Sequence, residues 1–152
     1  TMGVVAWRVP VVEGHFINRE TGGITDMLSR RSNVYVADGS AQVLEASGIH
    51  VNLACNTVAG GRTVYFSQLP YSLDNARLLL RALLWATRQE DALRRCHSTN
   101  PKVDCAFYPK AGVFCLANNV DSRQATTVCD ANGAMRRFTL QPYQWRWGKQ
   151  RP

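Results

Sequence analysis

The stretch from Gly60 to Ala86 constrains the fold more than any other part of the chain, because it joins a strand to a capped helix. Gly60 and Gly61 permit a turn that most side chains disfavour. The β-branched and aromatic residues 63–66 that follow suit a pleated surface. Pro70 cannot donate a hydrogen bond to a strand ladder, so the strand must end before it. The segment therefore predicts a turn and a strand, followed by a new element.

That new element is a helix beginning at about Leu73. Ser72 stands where an N-cap is needed, and Asp74 lies in the first turn, where negative charge is favourable. Apolar spacing of three and four then predicts one buried stripe. The stripe comprises Leu73, Ala76, Leu80, Leu83, Leu84 and Thr87, while Arg77, Arg81 and Arg88 are expected on the other faces. The helix is thus predicted to bury its leucines and to keep its arginines in solvent.

Composition excludes several classes of protein. The 152 residues are 45% hydrophobic and 19% charged, which is typical of a globular chain. No apolar run approaches the roughly twenty residues that a membrane helix requires, and the first residues lack a signal-peptide pattern. The net charge of +7 comes from arginines and lysines scattered in runs of two at most. We interpret them as a solvated surface or a face toward acidic parts of a parent protein, with nucleic-acid binding as the alternative.

Cysteine and histidine patterns predict neither a metal site nor a disulfide framework. The five cysteines are odd in number and contain no CxxC pair, which favours a reduced, cytoplasmic setting. The histidines His15, His50 and His97 are too dispersed to suggest a metal triad. Neither a GxSxG elbow nor a glycine-rich phosphate loop occurs. We therefore assign no catalytic, cofactor-binding or metal-binding residue from the sequence.

The order of patterns predicts two domains, one over residues 1–97 and one over residues 98–152. In the first, strands are expected at Asn33–Ala37, Ala41–Ala46 and Ile49–Thr57, ahead of the strand and helix described above. This mixture predicts an α/β domain. The motif Ser98-Thr99-Asn100-Pro101 halts the helical pattern and marks the boundary.

Beyond residue 98 the hydrophobic period changes to two. Val103, Cys105 and Phe107 point one way, a turn follows at 109–112, and residues 113–117 form the second arm of a hairpin. Further strands are expected at 125–129, 136–140 and 143–147, which gives an all-β unit of about five antiparallel strands.

Three aromatic residues in the last predicted strand form the one candidate binding surface. Tyr143, Trp145 and Trp147 alternate along the chain, so they should share one side of the strand. Such a row can stack against sugar rings, and we consider it a possible carbohydrate contact. The alternative is that the row closes the core of the β unit or covers a neighbouring domain. Trp7 and Trp85 are interpreted as packing residues.

Several short sequence segments, occurring in the same order along the chain, resemble one enzyme family. They are residues 61–66, 69–72, 75–79, 81–86, 98–100 and 118–119. They look like the C-terminal part of the galacto-N-biose/lacto-N-biose phosphorylases, also called 1,3-β-galactosyl-N-acetylhexosamine phosphorylases. The resemblance runs from about Asn33 to Trp147, roughly three quarters of the chain. The Cys55–Ala59 stretch and the cysteine-rich β unit differ from the usual sequence pattern of the family.

The resemblance implies that the chain is a fragment without its catalytic barrel. Such enzymes have a (β/α)8 barrel, a glutamine-amidotransferase-like α/β domain and a small C-terminal β domain. This chain would hold part of the α/β domain, followed by a β-sandwich-like domain. Family members cleave β-1,3-galactosyl-N-acetylhexosamine with phosphate and inversion, using a barrel carboxylic acid and no metal or organic cofactor.

The partners implied by the resemblance are the barrel domain of the parent chain, a disaccharide with phosphate, and a further copy in a homo-oligomer. Neither nucleic acid nor a membrane is expected. The fragment itself is predicted to be inactive, although its parent would be an enzyme. Two other classes stay open from the residues alone: a carbohydrate-binding or interaction module of another glycoside-active enzyme, and a basic nucleic-acid-binding domain.

Overall fold

The structure is a computed structural model, and it describes residues 8–29, 32–37, 39–94, 97–130 and 133–149. Within these ranges it contains one α-helix, one short 3-10 helix and nine strands, arranged in three antiparallel sheets of three strands each. The chain divides into two compact units, Thr1–Gln89 and Glu90–Pro152, here called unit 1 and unit 2. The assignment of separate domains to residues 1–97 and 98–152 stays a prediction.

Unit 1 is built on a meander of three strands. These are β1 (Gln42–Ser47), β2 (His50–Val58) and β3 (Gly61–Phe66), and β2 lies in the middle. A two-residue turn joins β2 to β3, with φ of 48° at Ala59 and 80° at Gly60. Two successive positive φ angles are what a tight hairpin of right-twisted strands requires, and glycine meets that requirement without steric strain. The turn predicted at Gly60 and Gly61 is therefore confirmed at Gly60, whereas Gly61 is already the first residue of β3.

The helix α1 (Leu73–Ala86) begins where the sequence predicts it. The Ser72 hydroxyl accepts the backbone N–H of Asn75 at 3.1 Å, and Asp74 occupies the first turn. A hydrogen bond of this kind satisfies one of the amide groups that a helix start leaves without an intrahelical partner. A 3-10 turn over Glu90–Arg94 follows the helix.

The predicted orientation of α1 is wrong. Leu80 and Leu83 are 43% and 55% exposed, and Ala76 and Thr87 are exposed as well. The buried residues are Asn75, Leu78, Arg81, Ala82 and Trp85. Leucines occupy so much of this helix that their spacing fits more than one stripe, so the phase is decided by contacts with other segments. Those contacts include the two hydrogen bonds of Asn75 with the backbone of Thr25, at 2.9 Å each.

The predicted fold class, a partial amidotransferase-like α/β unit followed by a β-sandwich-like domain, is wrong, because unit 1 is not α/β. Its strands run antiparallel, and only one α-helix accompanies them in the described residues. Two-residue turns separate these strands, whereas parallel strands need crossover connections of a dozen or more residues. The predicted strand Asn33–Ala37 is absent from the first sheet: residues 32–37 form no regular secondary structure, and Val51 donates one hydrogen bond to Val34 O at 3.2 Å.

Unit 2 contains two sheets of three strands. One has the order β4 (His97–Ser98), β7 (Gln124–Cys129), β8 (Met135–Leu140), and the other β5 (Val103–Tyr108), β6 (Val113–Asn118), β9 (Trp145–Lys149). Both sheets contribute to one buried cluster, which comprises Val103, Phe114, Leu116, Val128 and Leu140. Gly148 pairs with Phe114, and a side chain at Gly148 would overlap the Phe114 ring. The glycine therefore allows β9 to pack closely over that ring.

Candidate functional site

The predicted sugar-contact residues Trp145 and Trp147 lie on β9 and are exposed. Their exposed fractions are 71% and 60%, and neither belongs to the buried cluster of unit 2. Tyr143 is also exposed, but it lies in the turn before β9 with φ of 54°. The alternation from which the sequence prediction placed three aromatic residues on one strand face therefore holds for the two tryptophans alone. Strand β9 begins two residues later than predicted.

Strand register places a third aromatic residue beside the tryptophans. Trp147 pairs with Cys115 on β6, and Tyr108 on β5 reaches over that central strand. The Tyr108 and Trp147 ring centroids lie 5.6 Å apart with an interplanar angle of 38°. Cys115 is only 7% exposed between these two strands. We call this outer side of the sheet, which carries Tyr108, Trp145 and Trp147, the aromatic face.

A hydrogen-bonded polar pair lies at the opposite edge of the aromatic face. Trp145 pairs with Ala117, and Ala117 pairs with Asp104 on β5, so these three side chains emerge on the same side of the sheet. The Asn119 amide donates to Asp104 Oδ2 at 2.8 Å, and both residues are exposed. The sequence prediction missed Tyr108, Asp104 and Asn119 because their proximity depends on the register between strands that are distant in sequence.

The most unusual charge in unit 1 is Arg81, which is 1% exposed. Its Nε donates to Phe16 O and one terminal nitrogen donates to Glu20 Oε1, both at 2.5 Å. Its guanidinium carbon lies 4.1 Å from the centroid of the Phe16 ring. Burial lowers the pKa of Arg81 to about 10, and the neighbouring Glu20 carboxylate opposes that shift. The sequence prediction put this arginine in solvent, and the structure makes it a packing residue.

A histidine and a cysteine meet in unit 1 but are not arranged as a nucleophilic pair. Cys55 Sγ lies 3.8 Å from His15 Nε2, and the backbone N–H of Ile17 donates to His15 Nδ1 at 3.2 Å. Nδ1 is therefore an acceptor, and the neutral ring carries its proton on Nε2, facing the sulfur. Nε2 cannot then accept the thiol proton, which general-base activation of a cysteine requires.

The acid–base properties of this pair agree with its geometry. Burial raises the pKa of the Cys55 thiol to about 11, although the nearby Arg62 charge acts in the opposite direction. Burial also lowers the pKa of His15, and Arg62 and Arg81 add to that shift. A reactive cysteine needs a lowered pKa and access to solvent. Cys55 is 3% exposed, so we interpret the pair as part of the core.

The remaining features offer little chemistry. No group of three His, Cys, Asp or Glu side chains suited to a metal ion occurs among the described residues. In the same residues, no helix is long and apolar enough to cross a membrane. Two open, mainly apolar hollows of about 690 and 360 Å³ lie beside the sheet of unit 1, and both are lined by Tyr35, Val36, Ala41 and Val43. The aromatic face of unit 2 is therefore the best candidate for ligand contact.

Comparison with known proteins identifies relatives of both units. Residues 1–91 match the family model described as the lacto-N-biose phosphorylase central domain, and residues 97–148 match the one described as the lacto-N-biose phosphorylase C-terminal domain. A 1,3-β-galactosyl-N-acetylhexosamine phosphorylase of Bifidobacterium longum is 43% identical over 108 residues. That alignment covers 71% of this chain and 14% of the relative.

Further relatives come from Lachnoclostridium phytofermentans, among them two phosphorylases with different named substrates. A 1,3-β-galactosyl-N-acetylhexosamine phosphorylase is 35% identical over 119 residues, which are 78% of this chain and 16% of the relative. A D-galactosyl-β-1→4-L-rhamnose phosphorylase is 32% identical over 99 residues, 64% of this chain and 13% of the relative. The chain thus spans about one sixth of the relatives it matches, or less. It belongs to the lacto-N-biose phosphorylase family, and it matches the central domain and the C-terminal domain of that family one after the other.

Proposed function

We propose that this chain is the non-catalytic C-terminal region of an inverting phosphorylase. In the proposal, the parent enzyme cleaves β-1,3-galactosyl-N-acetylhexosamine with phosphate and yields galactose 1-phosphate and the free N-acetylhexosamine. The observation that carries the proposal is the pair of consecutive family matches over residues 1–91 and 97–148, combined with coverage of only 14–16% of the two galactosyl-N-acetylhexosamine phosphorylases.

The reaction proposed for the parent enzyme makes no use of the His15–Cys55 pair of this chain. An inverting phosphorylase needs one carboxylic acid to protonate the leaving oxygen, while phosphate itself is the nucleophile. The protein therefore needs no thiol nucleophile, and the His15–Cys55 pair is not built to supply one. We assign the catalytic acid to a barrel domain of the parent chain, as the family resemblance implies.

The substrate is the less constrained part of the proposal. The relative that acts on a galactosyl-rhamnose shows that linkage and acceptor differ among proteins similar to this chain. We favour a galactosyl-N-acetylhexosamine because the two relatives with that name are 35% and 43% identical to the chain. The region would shape or cover the mouth of the active site and support assembly into a homo-oligomer, and we place the parent enzyme in the cytoplasm.

An activity assay tests the proposal directly. The purified chain is incubated with lacto-N-biose and phosphate, and galactose 1-phosphate is followed by phosphorus NMR. We expect no product above that of buffer, while a full-length family member serves as the positive control. Turnover by the chain that follows its concentration would overturn the non-catalytic role. In that case the Cys55→Ala and Asp104→Ala variants would reveal whether either side chain contributes to catalysis.

A further inference from the structure

We propose that the aromatic face of unit 2 binds the pyranose ring of a β-galactoside, with Trp145 and Trp147 as stacking residues and the Asp104–Asn119 pair as the hydrogen-bonding edge. The binding surface follows from the geometry of the sheet β5-β6-β9, whereas the choice of galactoside rests on the proposed function.

The first step of the argument is exposure. Trp145 and Trp147 remain 71% and 60% exposed, although the strand that carries them is paired with β6 along its length. Strand β9 is held by its antiparallel pairing with β6, and the buried cluster on the other side of the sheet contains neither tryptophan. Large aromatic rings that project outward from a well-paired strand are available to a ligand.

The second step is the shape of the surface between the rings and the polar pair. Trp145 and Asp104 are separated by one strand, so their backbones lie about 10 Å apart, at two strand spacings. The residue between them is Ala117, whose short side chain projects little from the sheet. Next to this row of three residues, the rings of Tyr108 and Trp147 contact each other on the same side of the sheet. The aromatic residues and the polar pair thus lie on one side of the sheet about two strand spacings apart, a separation that leaves room for one sugar ring.

The third step is the chemistry of the two sides. The axial 4-hydroxyl of galactose makes one face of the ring polar, and the opposite face, which presents C–H groups, stacks on an aromatic ring. The hydroxyl groups at the edge of the sugar need acceptors and donors. An ionised Asp104 supplies acceptor positions beyond the one taken by Asn119, and the Asn119 amide oxygen is a further acceptor. A carboxylate held by an amide is therefore suited to adjacent sugar hydroxyl groups.

The test uses the full chain and two-dimensional NMR of its tryptophan indole N–H groups. The chain has four tryptophans, which are assigned by single Trp→Phe variants. Lacto-N-biose and methyl β-galactoside are titrated without phosphate, so that no phosphorolysis can occur. We expect saturable shifts of the Trp145 and Trp147 signals with a Kd on the order of 1 mM. The buried Trp85 should not respond, since it is 8% exposed and belongs to unit 1.

Variants separate stacking from hydrogen bonding. Trp147→Ala should weaken binding about tenfold, and Asp104→Ala should do so by a similar factor while removing the preference for galactoside over the matching glucoside. The control is Tyr71→Ala, which removes an aromatic ring that is 93% exposed in unit 1 and should leave the affinity unchanged. Since Trp147 and Asp104 are exposed, circular dichroism should show that these variants remain folded.

Two outcomes would overturn the inference. One is the absence of saturable shifts at tens of millimolar galactoside. The other is self-association of the chain that disappears in Trp147→Ala without any response to sugar, which would make the aromatic face a protein interface. Neither result bears on the activity assay, so a failure here leaves the non-catalytic role of the region intact, and turnover in that assay leaves the binding result intact.

Discussion

Units 1 and 2 differ in how far the sequence pattern reveals which side chains are buried. Unit 1 encloses the guanidinium of Arg81 and leaves Leu80 and Leu83 on the outside of its helix, whereas the core of unit 2 is a cluster of apolar side chains with Phe114 near its centre. Alternation along a strand assigns each residue to one of two faces, and in β5 the alternating residues Val103, Cys105 and Phe107 do lie in or against the buried cluster of unit 2. A leucine-rich helix offers several possible faces, so the same reasoning fails in unit 1.

The largest effect should come from the apolar core of unit 2. Phe114→Ala removes a fully buried ring that contacts Phe138 edge-on with centroids 5.7 Å apart. We expect a loss of about 4 kcal/mol in the free energy of unfolding, because the substitution deletes transfer energy and leaves a cavity. Urea unfolding measures the loss. A value near zero would mean that the two sheets of unit 2 do not share this core.

The next largest effect tests the buried cation of unit 1. Arg81→Ala removes two hydrogen bonds and the stacking on Phe16, and it leaves Glu20 without this buried cation. We expect a loss of about 3 kcal/mol in the free energy of unfolding.

The matched control for this prediction is the double variant Arg81→Met with Glu20→Gln, which should recover most of that loss because the apolar Met side chain fills the buried space of Arg81 without a charge to desolvate. If the double variant were as unstable as Arg81→Ala, the hydrogen bonds and stacking of the guanidinium, and not the volume of the side chain, would explain the role of Arg81.

A third prediction compares two leucines of α1. Leu78 is fully buried and Leu83 is 55% exposed. Leu78→Ala should lower the free energy of unfolding by about 2.5 kcal/mol, whereas Leu83→Ala should change it by less than about 0.5 kcal/mol. Thermal unfolding of the two variants side by side provides the measurement. The reverse order would restore the helix orientation that was predicted from leucine spacing.

The smallest effect concerns the pH dependence of unit 1. The pKa of His15 lies below 6.5 in the folded chain, so the unfolded chain binds more protons in the window between that lowered pKa and 6.5. The His15 contribution to stability should therefore be complete above pH 6.5 and decline as the pH falls through this window. Urea midpoints at several pH values, compared with those of His15→Gln, measure the difference. If the stability of His15→Gln depended on pH in the same way as that of the unaltered chain, His15 would not be the group responsible.

Local signals in the sequence correctly predicted the elements around the opening segment. The Gly60 turn, the β3 strand and the Ser72 cap depend on neighbouring residues, and all three are present. The orientation of α1 was not predictable in the same way, because it depends on contacts of Asn75 and Arg81 with residues about 50 or more positions away. The antiparallel arrangement of unit 1 was open to prediction from its two-residue turns.

The candidate site was predicted in part. The exposed tryptophans were found from alternation on one strand, but Tyr143 was included wrongly because the turn before β9 was read as strand. Tyr108 and Asp104 could not be added from the sequence, since each joins the aromatic face through pairing of β5 with β6 and of β6 with β9. No local pattern specifies such pairing.

The sequence by itself determined the family, the Gly60 turn and the capped start of α1, because each depends on residues that are adjacent in the chain. The tertiary structure alone decided which face of α1 is buried, that Arg81 lies inside, and that Tyr108, Trp145 and Trp147 share one surface. The physical reason is that burial and strand register are set by the free energy of packing the whole unit. Several arrangements satisfy the local preferences of the same residues, and long-range contacts select among them.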